Sequence, residues 1–215
     1  MPSLGGCSLL YSDPWLLVVD KPAGLLCQPG LGPALADSLI SRLQLEEPGL
    51  RLIHRLDRDT SGLLLVARCA ESLSTFSTAF AHRRVHKLYV ADVCADPPAL
   101  SGVVDAPLAR LQRSPPRYGP HPQGRPSRTR WRSWAWSDGG RRLWLQPLTG
   151  RSHQLRAHLA ELGCPIQGDP IYGCPGEPCA SGRMHLHATA LSLRHPFTGE
   201  RLRCRSDVPF RRSPV

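Results

Sequence analysis

Leu63 to Ala67 is an unbroken apolar run, Leu-Leu-Leu-Val-Ala. The segment leading into it, His54-Arg55-Leu56-Asp57-Arg58-Asp59-Thr60-Ser61-Gly62, carries two acids and three basic side chains. A short continuous run of this kind reads as a buried strand. The polar segment ahead of it must then meet the core at its edge, where a carboxylate is stripped of part of its water. An acid placed there needs a cation within a few ångströms, because a buried aspartic acid without one takes up a proton and ceases to be a nucleophile.

The rest of the chain alternates between the two periodicities and predicts a mixed α and β protein. Trp15 to Val19 reads as a strand closed by the turn Asp20-Lys21-Pro22-Ala23-Gly24. Asp37 is placed to cap a helix whose Leu39, Ile40 and Leu43 recur at helical spacing until Glu46-Glu47-Pro48-Gly49 ends it. Leu73, Phe76 and Phe80 mark the core face of a second helix ending near His82-Arg83-Arg84, and Lys87 to Val93 is a β-rich stretch that puts Tyr89 on a strand. From Asp96 to Ser127 prolines and arginines accumulate without a sustained apolar period, which predicts a mobile excursion from the core.

Thr129 to Trp136 and Arg142 to Gln146 read as a hairpin joined by Ser137-Asp138-Gly139-Gly140, with Trp131, Trp134, Trp136 and Trp144 as packing residues. A third helix follows Gly150-Arg151-Ser152-His153, with Leu155, Leu159 and Leu162 as its stripe and Gly163 and Pro165 as its end. Arg151 falls near the start of that helix, where the macrodipole disfavours a cation. A compensating carboxylate, Asp57 or Asp59, is therefore expected beside it. His185 to Leu193 and Arg201 to Arg205 close the chain as a hairpin around Pro196-Phe197-Thr198-Gly199.

Charge narrows the partner. Lys and Arg number 27 against 17 Asp and Glu, giving a net charge of +10, and only Lys21 and Lys87 are lysines. A surface this rich in guanidinium groups suits a polyanion, since arginine forks onto phosphate and stacks on bases. No run of about eighteen apolar residues is present to cross a membrane as a helix. The first ten residues lack the basic-then-apolar order of a signal peptide, and a cytosolic protein is expected. The cysteines at 7, 27, 69, 94, 164, 174, 179 and 204 form no CxxC pair, and disulfides are not expected. Cys164, Cys174 and Cys179 with His185 and His187 match no common zinc spacing, so no metal is assigned.

His54-Arg55-Leu56-Asp57 followed by Thr60-Ser61-Gly62-Leu63 resembles the motif around the catalytic aspartate of the RluA-type pseudouridine synthases. Asp20-Lys21-Pro22-Ala23-Gly24-Leu25, Lys87-Leu88-Tyr89-Val90-Ala91, Gly150-Arg151-Ser152-His153-Gln154-Leu155-Arg156, Gly168-Asp169-Pro170-Ile171-Tyr172-Gly173 and Leu186-His187-Ala188 are similar to further segments of that family, in the same order. The resemblance implies an α+β fold: a mixed, mainly antiparallel sheet with flanking helices and a central catalytic cleft. Residues 1–215 would form one catalytic domain, in two lobes sharing a sheet, without the small RNA-binding domain that many relatives carry ahead of it.

It also implies isomerisation of uridine to pseudouridine in tRNA or rRNA stem-loops with no cofactor, and a monomer without an obligatory protein partner is the default expectation. Asp57 is the implied nucleophile, attacking either the sugar C1′ or the base C6. Arg151 would pair with it and fix its charge, and Tyr89 would pack under the target base. Because a base must leave its stack to be reached, a residue has to fill the gap, and Arg55 matches the one that does so in the family. His54 and Arg58 join Arg55 as implied RNA contacts, and Leu186 as a contact to the base.

Two other classes compete. Asp59-Thr60-Ser61-Gly62 resembles the Asp-Thr-Gly of aspartic proteases, but a serine interrupts it and the chain has no second copy. A catalytically inactive RNA-binding descendant of the same fold is the other alternative. Such a protein would be expected to lack one of Asp57, Tyr89 and Arg151, and all three are present.

Overall fold

The computed structural model describes residues 2–135, 141–173 and 182–210. In chain order the elements are β1 (Ser3–Leu4), β2 (Cys7–Ser12), β3 (Leu16–Lys21), α1 (Leu39–Glu46), β4 (Arg51–Leu52), β5 (Ser61–Ala67), α2 (Ala70–Ala81), β6 (His86–Asp92), β7 (Ser101–Asp105), β8 (Leu108–Gln112), β9 (Arg117–Pro120), β10 (Arg128–Ala135), β11 (Arg141–Pro147), α3 (Gln154–Glu161), β12 (Leu186–Arg194) and β13 (Arg201–Arg205). The fold is α+β with a mainly antiparallel sheet, and the chain divides into two compact units. The first is Met1–Lys87 with Ala188–Asp207, the second Leu88–His187 with Val208–Val215. The chain passes from one unit to the other inside β6 and returns inside β12.

In the first unit the strands run in the order β1, β2, β3, β5, β12, with β4 paired to β5 and β13 to β12. Leu16, Val18, Leu63, Leu65, Leu191 and Leu193 point to one side, where Phe76 and Ala79 of α2 close over them. The alternate set Leu17, Val19, Leu64 and Val66 is equally inaccessible, so β3 and β5 are covered on both faces. That double burial is why β5 is apolar at consecutive positions instead of every second one.

Gly62, the second residue of β5, has φ +113°. A Cβ there would stand 2.4 to 2.8 Å from the main chain of Ala188, so the Ser61-Gly62-Leu63 step needs glycine for both conformation and clearance. The cap of α1 differs from expectation. Ser38, not Asp37, accepts the Ser41 amide in a reciprocal capping box, and Asp37 instead forms an ion pair with Arg42 at 2.6 Å.

In the second unit β6, β11, β10 and β7 form an antiparallel run, and β8 and β9 make a separate two-stranded ribbon. The stretch from Asp96 to Ser127 therefore holds three strands where none was expected. β7 escapes the sequence pattern because its exposed residues are Ser101, Val103 and Asp105, so polarity does not alternate along it although burial does. The strands on either side of the predicted hairpin are present, while Trp136 and the turn at 137–140 lie outside the described residues, as do Cys174 and Cys179.

Helix α3 is buried nearly all round. Besides Leu155 and Leu159 it encloses Gln154, Arg156 and His158, so its apolar stripe is only part of its core surface. Gly163, with φ +80°, follows its end as expected.

Candidate functional site

The segment around Asp57 is held from the outside by neighbours that bond to its main chain. Leu56 is pinned on both of its backbone groups by Cys27: its amide donates to Sγ at 3.3 Å, and the thiol donates to its carbonyl at 3.2 Å. On the far side, the Arg58 carbonyl accepts from the Gly24 amide and from Lys21 Nζ, each at 2.9 Å. The Thr60 amide then donates to the Asp57 carbonyl at 3.2 Å and closes a turn. The polar approach to β5 is thus fastened one residue before and one residue after Asp57. Asp57 itself is partly buried.

Lys21 is the unusual element. Its side chain is fully buried, yet among the described residues its ammonium meets no carboxylate at bonding distance. It donates instead to three carbonyls, Leu25 at 2.7 Å, Pro22 at 2.8 Å and Arg58 at 2.9 Å. Burial pulls its pKa down from 10.5 to about 8, against the raising influence of neighbours that include Asp59 and Asp57. Three carbonyl dipoles satisfy all three donors of an ammonium, which lets one cation tie the turn after β3 to the loop before β5.

The implied RNA contacts divide. Arg55 is exposed and has no ion-pair partner among the described residues. Arg58 is exposed and pairs with Asp59 at 3.0 Å. His54 faces inward: its Nε2 accepts the Leu65 amide at 3.1 Å, and its ring stacks on Phe80 at 4.7 Å. Burial, helped by nearby Lys87, pushes its pKa down to about 3. A neutral ring used as an acceptor cannot offer charge to a phosphate, so His54 anchors the loop to β5 instead.

The second unit holds the other implied residues. Tyr89 is buried on β6, opposite Leu145 of β11, which in turn lies opposite Trp131 of β10, so the three share one sheet face. Leu186 is buried at the start of β12. Arg151 is exposed in the turn before α3, its Nε donating to the Pro126 carbonyl at 3.3 Å.

Around Arg151 the turn is fixed by side chains. Gln154 Oε1 accepts from the Arg151 amide at 3.0 Å and from the Thr149 hydroxyl at 2.7 Å, and its Nε2 donates to the Arg128 carbonyl and to Thr129 Oγ1, both at 3.0 Å. Thr129 Oγ1 also bonds His158 Nδ1 at 2.9 Å. One turn on, Arg156 forms a buried two-pronged pair with Asp169 at 2.7 and 2.8 Å. Asp169 Oδ1 further accepts the amides of Ile171 and Tyr172.

The sequence assigns no role to Lys21, Cys27, Gln154 or the Arg156–Asp169 pair, although all but Cys27 lie in the segments similar to the family. Lys21 carried a signal, as one of two lysines among 27 basic side chains in a turn full of strand-breaking residues. Cys27 carried none.

Comparison with known proteins adds to this geometry. Residues 15–161 match the family model for RNA pseudouridylate synthase. The chain is 36% identical over 204 residues to the Escherichia coli K12 dual-specificity RNA pseudouridine synthase RluA, covering 94% of this chain and 93% of that protein. It is 38% identical over 194 residues to the Vibrio vulnificus protein of the same description, covering 87% and 78%. Among solved structures it is similar to human RNA pseudouridylate synthase domain containing 1, with a TM-score of 0.75 and 29% identity over 98% of this chain and 86% of that one. Human RNA pseudouridylate synthase domain containing 4 gives a TM-score of 0.74 at 25% identity, over 94% and 88%.

Proposed function

The chain belongs to the RNA pseudouridylate synthase family, as an RNA pseudouridine synthase of the RluA type, and on that premise we propose that it isomerises uridines in structured stem-loops of transfer RNA, ribosomal RNA or both, with Asp57 as nucleophile. The observation that carries the choice of Asp57 is the fastening of the main chain on each side of it, by Cys27 at Leu56 and by Lys21 and Gly24 at Arg58. A nucleophile gains most from a fixed approach to the reacting carbon, and here the main chain is held on both sides of Asp57.

In this reading Arg151 keeps the carboxylate ionised and Tyr89 supports the extruded base, with Leu186 contacting it. Exposed Arg55 fills the space the base leaves, and Arg58 contacts the RNA backbone. His54 drops out of the RNA-contacting set, because its ring already serves β5. The two bacterial relatives are described as dual-specificity enzymes, which supports a substrate range wider than one RNA. The chemistry needs neither metal nor organic cofactor, and we assign it to a cytosolic monomer.

Mapping by carbodiimide-dependent primer-extension stops, in cells with and without this chain, tests the proposal. Stops that appear with the wild type and vanish with Asp57→Asn, while RNA is still bound, are the expected result. Stops that persist with Asp57→Asn would remove Asp57 from its role, and stops confined to unstructured RNA would overturn the stem-loop assignment. Arg151→Met should impair turnover strongly. Combining it with Asp57→Ala should add little, since two groups acting as one unit are lost with the first.

A further inference from the structure

In the second unit, β10 presents two unlike faces. Thr129 and Trp131 are buried, with Thr129 bonded to Gln154 and His158 of α3, and Tyr89 shares this covered side through Leu145. The alternate residues Arg128, Arg130, Arg132 and Trp134 are all exposed, Trp134 at 60%. Beside them on the same face lie exposed Val103 of β7, opposite Arg130, and half-buried Trp144 of β11, opposite Arg132.

The charge on this face is unbalanced. Arg128 pairs with Asp105 at 3.3 Å, and Arg142, opposite Trp134, is buried in a two-pronged pair with Asp92. Arg130 and Arg132 have no ion-pair partner among the described residues. A sheet face kept in water with two uncompensated guanidinium groups, an exposed indole and a valine calls for a ligand that is anionic and has flat apolar faces.

We propose that this face is a second RNA-contact surface, which takes a single-stranded segment along β10 with phosphates at Arg130 and Arg132 and a base stacked on Trp134. The inference rests on RNA being the substrate of this enzyme. Same-face residues of a strand stand roughly 7 Å apart, so Arg130, Arg132 and Trp134 form a track of about 14 Å, the reach of two or three nucleotides. Single strands fit better than duplex because only unpaired bases offer their rings to an indole, and stacking of this kind tolerates any sequence. The surface lies on the sheet face opposite to that of Tyr89, so it would grip RNA that flanks the reacting nucleotide.

The test uses fluorescein-labelled decauridylate and the full chain, with affinity measured by anisotropy across a salt series. Arg130→Gln with Arg132→Gln should weaken binding at least on the order of tenfold and lower the salt slope by about 1.4, the contribution of two single-strand phosphate contacts. Trp134→Ala should weaken it by roughly 5- to 150-fold with the slope unchanged, as expected for loss of a stacked base. A 4-thiouridine version of the probe should crosslink to the peptide carrying Trp134.

Affinity and slope within twofold of wild type in both variants, or crosslinks confined to other peptides, would overturn the proposal. All three substitutions are at exposed positions, and the variants are first shown to melt with the wild type. Pseudouridine formation in bulk cellular RNA is measured in parallel. Its loss in the wild type would count against the synthase reading alone, whereas the binding arms judge this surface alone.

Discussion

The loop around Asp57 and the turn around Arg151 are both immobilised, by opposite means. In the first unit the fixing groups, Cys27, Lys21 and His54, reach the loop or its strand through main-chain atoms: the backbone of Leu56, the carbonyl of Arg58 and the amide of Leu65. In the second unit, side chains bond largely to one another, with Gln154, Thr149, Thr129 and His158 in one mesh and Arg156 with Asp169 in another. Backbone anchoring constrains where a residue stands through its main chain alone. A side-chain mesh constrains the shape of the element, and is lost piecemeal when one member is removed.

The contrast predicts different consequences for similar-looking substitutions. Arg156→Met should be the most damaging to stability, because it strands the buried Asp169 carboxylate. A loss of about 3 to 5 kcal/mol is expected in urea unfolding, and a smaller shift would mean that water or rearrangement rescues Asp169.

Lys21→Met should behave differently. It removes a buried charge along with its bonds, so stability should change by no more than about 2 kcal/mol. Turnover should nevertheless fall on the order of 100-fold with KM little altered, as a displaced Asp57 would cause. Equal effects on KM and kcat would argue against positioning.

The pH dependence separates the two influences of Lys21. Its folded pKa of about 8 lies below the ordinary 10.5, so between these values the unfolded chain holds more protons than the folded one. This group alone therefore makes the fold more stable as pH rises across that window. Activity should move the other way, falling as the ammonium that holds Arg58 is lost. A decline in turnover above about pH 8 with undiminished melting temperature, absent in Lys21→Met, is the expected signature.

Cys27→Ala is the smallest effect, costing about 1 kcal/mol of stability and a few-fold of kcat. Cys27→Ser should restore part of both by keeping a donor and acceptor at Leu56. Equal behaviour of the alanine and serine variants would show that the thiol only fills space.

How much of this was legible beforehand follows from the kind of signal each feature leaves. β5 could be read because burial on both faces removes polar residues from every position, and the helix stripes because one face alone is apolar. The strand β7 could not, since its polarity fails to follow its burial. The cap of α1 falls one residue later than the sequence suggests because Asp37 and Ser38 are both good caps, and Arg42 pairs with the aspartate. Trp134 reads in the sequence like the packing tryptophans, and only the covering of the opposite face by α3 leaves it in water.

By itself the sequence determined the mixed α and β character and the basic surface that suits RNA, because composition and periodicity are properties of the chain in one dimension, and its resemblance to the family singled out Asp57, Tyr89 and Arg151 as the candidates for the site. Only the tertiary structure decided that Lys21 and Cys27 brace the neighbours of Asp57, that His54 turns inward, and that Gly62 must clear the main chain of Ala188. Those contacts join residues 11 to 126 positions apart, and nothing in a linear spacing records which side chain a distant carbonyl will meet once the strands have paired.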